Sequence, residues 1–584
     1  MTQFLASAHG AQVCLALFQS SNSLAKLSFL DIVIIAIYFG MVIWIGFYLK
    51  GHSNTSEEFF MAGREMTAWI AGLSFVSANL GSLELMGWAG SAYQYGILAV
   101  HWYWIGAIPA MLFLGLVMMP FYYVSKTHSV PGYLKLRFGE DSRVLAAVSF
   151  AFMTILMSGV NMFAMAVVMK VVLGWNMTFS ILMSSLAVAA YVALGGLRSA
   201  IFNEVLQFML IWGGALLIPI LGLVEAGSFH QLKANIVHNY GESYVHLWGP
   251  LAHFSSNPMG VHWTGIVFGL GFCISFGYWT TDFLVVQRVL SANSLRSAQM
   301  APIIASVFKM AVPFIVILPG LMGLVLLTNP DGTVMHLVGE NAVSAVNPHS
   351  YNEVLPLMLV RYCGPGLLGL GITALIAGFM SGMAGNVSAF SAVWTYDIYQ
   401  PLINKKATDQ HYVSVGRWAT ILGVVVSIGT AYLVMSAKGI MDYVQALFSF
   451  FIAPLFGSII LGMFWRRATK QGGFWGLLTG TVASVSLWAW VKVDPSALRY
   501  VAFSADAKPM AEDVYRAIWS FSTCAIVTIV VSLITKPRPI EELQGLVYGA
   551  TPIPNEGPVP LIKNHWFWAS IVIVAFFVMN LIFW

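Results

Sequence analysis

The chain has 584 residues, of which 58% are hydrophobic and only 9% are charged, and its formal net charge is +4. Soluble domains carry about 25% charged residues, so this composition excludes a soluble globular protein. The net charge is diluted over many short loops and says nothing about nucleic acid, which we do not expect as a partner. The four cysteines, Cys14, Cys273, Cys363 and Cys524, are too few and too scattered for a disulfide framework or a zinc site, and we expect no cofactor.

Apolar runs recur from Phe29 to Trp584, and each is long enough to cross a hydrocarbon core of about 30 Å. We therefore predict an all-α membrane protein in the lipid bilayer with about fourteen transmembrane helices. The predicted spans are 28–49, 67–95, 97–123, 142–173, 177–195, 199–224, 262–287, 297–327, 364–396, 411–435, 438–465, 473–492, 512–535 and 564–584.

Basic residues in the connections between these spans fix the predicted orientation. They are roughly twice as frequent on one side, which the positive-inside rule assigns to the cytoplasm. Both termini are then extracytoplasmic, in a plasma or inner membrane. The predicted segments are an outer N-terminal segment (1–27), an extra first helix and loop (28–66), a first set of five helices (67–224), an outer loop (225–261), a second set of five helices (262–465) with an outer loop (328–363), two peripheral helices (466–536), a cytoplasmic linker (537–563) and a final helix (564–584).

The second span is interrupted by the polar and small residues 77–84, which end in Glu84. Polar groups at membrane depth are costly, so this interruption indicates an unwound helix whose free carbonyls line a cavity. A contact between small residues of neighbouring helices is the alternative. The seventh span carries a matching interruption over 275–282, which ends in Asp282, although Tyr278 and Trp279 could instead belong to an interfacial aromatic belt.

Other polar residues lie within spans six, eight, nine and eleven. Glu204 could be a cytosolic-end charge paired with Arg198. Lys309 could snorkel toward the membrane surface, but we expect a polar partner for it in the core. The glycine-rich stretch 378–385 permits close helix packing, but Ser381 and local carbonyls could also bind a hard cation. Gln445 is a single polar residue in an aromatic-rich span, and by itself it is only a weak indication of a binding site.

An ordered set of stretches resembles the sodium:solute symporter family, which includes the sodium/glucose cotransporters, over about residues 28 to 535. The matching stretches are 77–82, Gly195-Gly196-Leu197 with Glu204 and Gln207, Tyr278-Trp279 through Asp282 to Gln287-Arg288, Lys309 with Pro313, 397–399, 443–445, and 464–467 with Gly472. The resemblance implies a leucine-transporter-like fold, an inverted repeat of five plus five helices made of spans two to eleven.

The resemblance also implies residue roles. Sodium would be held by Ser77, Leu80, Gly378 and Ser381, with Glu204 nearby in place of the family's aspartate; the family's second hydroxyl is replaced by Gly382. Sugar-binding members use polar residues at the positions of Asn79, Glu84, Ser275, Lys309 and Gln445, with Tyr278 closing the inner side. Two positions depart from sugar-binding members: Glu84 replaces a glutamine or histidine, and Tyr103 replaces a glutamate.

The sequence therefore predicts a symporter that imports a small polar organic solute by alternating access, with sodium as the coupling ion. The resemblance implies that a sugar-like solute is one such substrate. A proton-coupled symporter of the same fold and a solute sensor with a transporter-like membrane part remain alternatives. A haem or quinone enzyme needs paired inward histidines, and of 13 histidines only His101 lies clearly inside a predicted span. A channel would need no broken-helix repeat.

Overall fold

The structure is a computed structural model, and it describes residues 26–49, 55–329, 331–437, 439–552, 557 and 559–584, without the side chains of 187–195. Over these ranges the chain is helical, with isolated β-bridges between loops. The long helices are α1 (Phe29–Leu49), α2 (Ala68–Asn79), α3 (Ser82–Tyr95), α4 (Trp102–Val124), α5 (Glu140–Leu173), α6 (Met177–Ala215), α7 (Leu217–Ala226), α8 (Gly265–Thr281), α9 (Phe283–Leu290), α10 (Leu295–Ala311), α11 (Pro313–Leu326), α12 (Leu367–Leu402), α13 (Asp409–Val434), α14 (Ile440–Phe464), α15 (Lys470–Val493), α16 (Pro509–Ile534) and α17 (His565–Ile582).

Short helices lie in the connections between these elements. They are Ser56–Met61, Val130–Phe138, Phe229–Tyr240, Val354–Tyr362 and Leu498–Val501. Among the described residues, eleven helices are long and apolar enough to cross a membrane, and two bent pairs raise the number to thirteen. The remaining predicted span, 177–195, is the first part of α6. Within it the structure describes an apolar helical segment, Met177–Leu186, that is too short by itself to cross a membrane.

Two spans are broken where the sequence predicts discontinuous helices. The axes of α2 and α3 differ by 57°, and Leu80 and Gly81, which separate them, have non-helical backbone angles. The axes of α8 and α9 differ by 47°, and Asp282, which separates them, is extended (φ −71°, ψ 116°). Residues at both breaks line one cavity in the interior of the bundle, which is where an interrupted backbone is tolerated in a membrane.

The predicted boundary between the fifth and sixth spans is a kink within the single helix α6. Gly196 has φ +58°, a conformation that is costly for residues with a Cβ atom. A Cβ atom there would also lie 2.7 Å from the ring and carbonyl of Phe59. Glycine is therefore required at this kink for two independent reasons.

The broken helices lie at the centre of the bundle. Helix α2 packs against α6, α9, α10 and α12, while α8 packs against α4 and α14. Helix α1 covers α6 and α12, the pair α15 and α16 packs beside α14, and α17 lies against α10 and α4. This arrangement places both helix breaks away from the lipid-facing surface.

Candidate functional site

A cavity of about 60 Å³ lies between the two helix breaks. Its lining includes all seven side chains for which the sequence predicts a solute-binding role: Asn79, Glu84, Tyr103, Ser275, Tyr278, Lys309 and Gln445. They come from both broken spans and from α4, α10 and α14. The cavity is smaller than the roughly 300–1,000 Å³ of typical ligand pockets, so an organic solute requires it to widen.

Lys309 and Glu84 form the centre of the polar lining. The Nζ atom of Lys309 lies 2.5 Å from Oε1 of Glu84, and both side chains are largely buried. Lys309 also donates to Oδ1 of Asn79, whose Nδ2 donates to the hydroxyl of Tyr278 at 2.8 Å. Tyr103 donates to the same Glu84 oxygen at 2.9 Å. The polar partner that the sequence predicts for Lys309 is therefore Glu84, which lies 225 residues earlier in the chain.

Aromatic rings enclose this ion pair. The ammonium of Lys309 lies 5.0 Å from the ring centroid of Tyr103 and 5.2 Å from that of Trp279. Trp88 contacts Tyr103 with ring centroids 5.8 Å apart. Such rings exclude water and attract the cation through their negative faces, so they stabilise a charged lysine at membrane depth.

Two buried polar atoms in the cavity wall have no partner among the described residues. They are Oε1 of Gln445 and Nε1 of Trp102, an acceptor and a donor respectively. Unpaired buried groups are costly, so we expect each atom to find a partner when a ligand is bound. The sequence analysis missed Trp102, because a tryptophan inside an apolar run carries no signal of its own. It also assigned no role to Asn161 and Asn386, which line the same cavity.

The predicted ion ligands of α2 and α12 come together at one helix contact. The hydroxyls of Ser77 and Ser381 are 3.0 Å apart. A Cβ atom on Gly378 would lie 3.0 Å from the carbonyl oxygen of Leu80, so these backbones approach closely. Two hydroxyls and nearby carbonyls are oxygen ligands of the kind that hard cations prefer.

Gly382, which stands in place of the family's second hydroxyl, also serves close packing. A Cβ atom there would lie 2.9 Å from Cα of Gly81 and 3.0 Å from Oδ1 of Asn161. A side chain at this position would therefore push α12 away from the break between α2 and α3.

The interpretation that pairs Glu204 with Arg198 is wrong. Arg198 pairs with Glu65 at 3.0 Å, whereas Oε1 of Glu204 lies 2.6 Å from Nη2 of Arg288, and both of these side chains are fully buried. Ser74 donates to the other Glu204 oxygen. Arg198 stands at the kink of α6, where its side chain is partly exposed, while Glu204 faces the interior and needs a buried cation.

Comparisons with known proteins agree with this architecture. The sequence model of the sodium:solute symporter family matches residues 59–480. The human sodium/glucose cotransporter 4 is 30% identical over 539 residues, which are 89% of this chain and 78% of that protein. The human sodium/myo-inositol cotransporter is 29% identical over 89% of this chain and 75% of its own length. The bovine sodium/mannose cotransporter SLC5A10 is 29% identical over 78% of each chain.

Among solved structures, a sodium-coupled sialic acid symporter in a substrate-bound, outward-open state is similar in fold. Its TM-score is 0.70 at 21% sequence identity, over 87% of this chain and 99% of that one. At this identity the likeness concerns the fold alone.

Proposed function

This chain belongs to the sodium:solute symporter family, and from that premise we propose that it imports a small polar solute of the sugar or polyol type together with sodium. The observation that carries the proposal is the polar cavity between two helix breaks in a membrane bundle. Broken helices at matching positions of two repeats are where secondary transporters bind their solutes and coupling ions.

The Lys309–Glu84 pair and the polar side chains beside it favour an uncharged solute with several hydroxyl groups. Lys309 and Glu84 neutralise each other, so they offer donors and acceptors without a combined net charge. Gln445 and Trp102 add an unpaired acceptor and an unpaired donor. The names of the similar proteins, which include glucose, myo-inositol and mannose, support this solute class.

Sodium is the proposed coupling ion, held by the hydroxyls of Ser77 and Ser381 and the carbonyls of Leu80 and Gly378. Glu204 is engaged by Arg288, and we assign it to the interior ion pair rather than to the coordination shell. Sodium and solute favour the same conformational state, so each raises the affinity for the other by the same factor.

Transport would proceed by alternating access in a plasma or inner membrane, with both termini extracytoplasmic. Tyr278 is the proposed inner gate, because its hydroxyl is bound by Asn79 and its ring packs 4.9 Å from that of Phe448. Rotation of this ring would open a path from the cavity toward the cytoplasm.

Uptake into proteoliposomes tests the proposal. Proteoliposomes that contain the purified chain are given labelled glucose, mannose, myo-inositol or sialic acid in the external buffer. Uptake is measured under an inward sodium gradient, under an inward proton gradient, and with choline in place of sodium as a control. We expect concentrative uptake of at least one neutral solute with sodium and none with choline. The Lys309→Met protein is the transport-deficient comparison, and Lys135→Gln, at the solvent-exposed ion pair with Glu140, is the control. Concentrative uptake that follows the proton gradient without sodium would overturn sodium coupling.

A further inference from the structure

The carboxylate of Asp282 is buried, and among the described residues it forms no salt bridge. Its side chain is 3% exposed and lines the solute cavity. Of the neighbouring basic groups, Lys309 is held by Glu84, and Arg288 by Glu204. In the described part of the chain no basic side chain lies within 4.0 Å of Asp282. An uncompensated carboxylate at membrane depth is costly and marks a site that a cation can occupy.

Among the described contacts of Asp282, one of its two carboxylate oxygens accepts a hydrogen bond. Oδ1 accepts a hydrogen bond from the backbone N–H of Leu284 at 2.8 Å and so caps the first turn of α9. Oδ2 has no hydrogen-bond partner among the residues that the structure describes. The helix break at Asp282 therefore holds one carboxylate oxygen in place and leaves the other for a ligand.

Two amide oxygens belong to the same wall of the cavity. Asn386 donates its Nδ2 to the carbonyl of Gly382 at 3.1 Å, and Asn161 donates its Nδ2 to the carbonyl of Met157 at 3.3 Å. Each amide nitrogen thus donates one hydrogen bond to a carbonyl of its own helix. Oδ1 of Asn386 has no donor in the described structure, and Oδ1 of Asn161 receives only long contacts of 3.4 and 3.5 Å from α3.

Close helix packing brings these groups to the same region. A Cβ atom on Gly382 would lie 3.0 Å from Oδ1 of Asn161, so α12 touches α5 there. A Cβ atom on Gly385 would lie 3.2 Å from the side chain of Leu284, whose backbone Asp282 caps. The glycines of α12 therefore let Asn386 approach both Asn161 and the start of α9.

We propose that Asp282, Asn161 and Asn386 form a second sodium site, distinct from that of Ser77 and Ser381. Hard cations take oxygen ligands, and one carboxylate with two amide oxygens matches the charge of a monovalent ion. Imidazole and thiolate, which transition metals prefer, are not part of this set. Because the site shares its cavity with the solute, sodium there contacts the solute region directly, which couples the two ligands. This inference rests on the proposed sodium symport.

Equilibrium binding of radioactive sodium to the purified chain in lipid nanodiscs, without any solute, tests the site. We expect two sodium ions per chain for the parent and one for Asp282→Asn. Asparagine caps a helix as well as aspartate does, so this variant removes the charge and keeps the fold of α9. Ser381→Ala should remove the other ion, and the double variant should bind none.

A matched control substitutes another capping aspartate. Asp494→Asn changes a residue that accepts a hydrogen bond from Ser496 N at 3.0 Å, far from the cavity lining, and should still bind two ions. Asn386→Ala is the second variant, for use if Asp282→Asn does not fold, and should weaken one of the two sodium affinities at least tenfold.

The inference is overturned if Asp282→Asn binds as many sodium ions as the parent with unchanged affinity, or if the parent binds one. Loss of proton-driven uptake in Asp282→Asn, with sodium binding intact, would make this residue a proton carrier and also overturn it. A parent that binds one sodium and still shows sodium-driven uptake keeps the proposed function. A parent that shows neither sodium binding nor sodium-driven uptake contradicts both.

Discussion

Glu84 and Lys309 are separated by 225 residues in the chain, yet their charged atoms lie 2.5 Å apart in the membrane interior. One residue comes from the first broken span and the other from an unbroken helix of the second repeat. The pair therefore joins the two repeats through the solute cavity, and a movement of one repeat against the other must act on it.

Removing one member of this pair should be costly. Glu84→Gln leaves a buried ammonium without its counterion, and we expect a loss of about 3–5 kcal/mol in the free energy of unfolding. The double variant Glu84→Gln with Lys309→Met should recover most of that stability but not transport. Denaturation of the purified proteins measures the first effect and proteoliposome uptake the second. Lys135→Gln, at the solvent-exposed pair with Glu140, should cost less than about 1 kcal/mol. Equal losses in the single and double variants would contradict the pairing.

Glu204→Gln should act mainly on stability. It leaves Arg288 buried and unpaired, so the free energy of unfolding should fall by about 3–5 kcal/mol. The apparent sodium affinity should fall less than it does in Ser381→Ala. Glu204 contacts Ser74 and Arg288 and does not contact the hydroxyls of the proposed sodium site. A stable Glu204→Gln protein with a larger loss of sodium affinity than Ser381→Ala would make Glu204 a direct ligand.

Gly382→Ser distinguishes two expectations for this position, one from the family pattern, which has a hydroxyl there, and one from the close packing of helices in this structure. The pattern predicts a gained oxygen ligand and tighter sodium binding, but the geometry predicts a clash with Gly81, 2.9 Å from the new Cβ atom. We expect both Gly382→Ser and Gly382→Ala to lose about 1–3 kcal/mol of stability through overpacking, without a gain in sodium affinity for serine over alanine. Thermal unfolding and sodium titrations of the two variants provide the comparison. Tighter sodium binding by the serine variant alone would support the pattern.

Gln445→Ala and Trp102→Phe test the unpaired atoms of the cavity wall. If these atoms bind the solute, each substitution should weaken solute binding by about 1–3 kcal/mol. Trp104→Phe is the matched control, because the N–H of Trp104 is already bound to the carbonyl of Met310 at 3.1 Å. It should change stability but not solute affinity. Solute titrations measure all three, and parent-like affinity in both test variants would place the solute elsewhere.

Labelling of single cysteines tests the predicted orientation. In a Cys14→Ser background the other native cysteines are buried, so an added cysteine is the main reactive thiol. Asn239→Cys, in the outer loop, should react with an impermeant reagent in intact cells. Glu541→Cys, in the cytoplasmic linker, should react only after permeabilisation. The reverse pattern would invert the topology.

The sequence determined the membrane class and most of the span positions, because runs of apolar residues report directly on burial in lipid. It also located both helix breaks, since clusters of small and polar residues are costly inside an intact span. The seven residues for which the family resemblance predicts a solute-binding role all line one cavity.

Only the tertiary structure decided which polar groups meet. Contacts between helices far apart in the chain decide the partners of Lys309 and Glu204. They also decide which polar atoms, such as those of Trp102 and Gln445, have no partner among the residues that the structure describes. Sequence periodicity reports which residues avoid lipid, but it contains no information on distances between buried groups. Electrostatic energies depend on those distances. For this reason the pairing of charges, and a buried Asp282 carboxylate without a salt bridge in the described part of the chain, emerged only from the packed bundle.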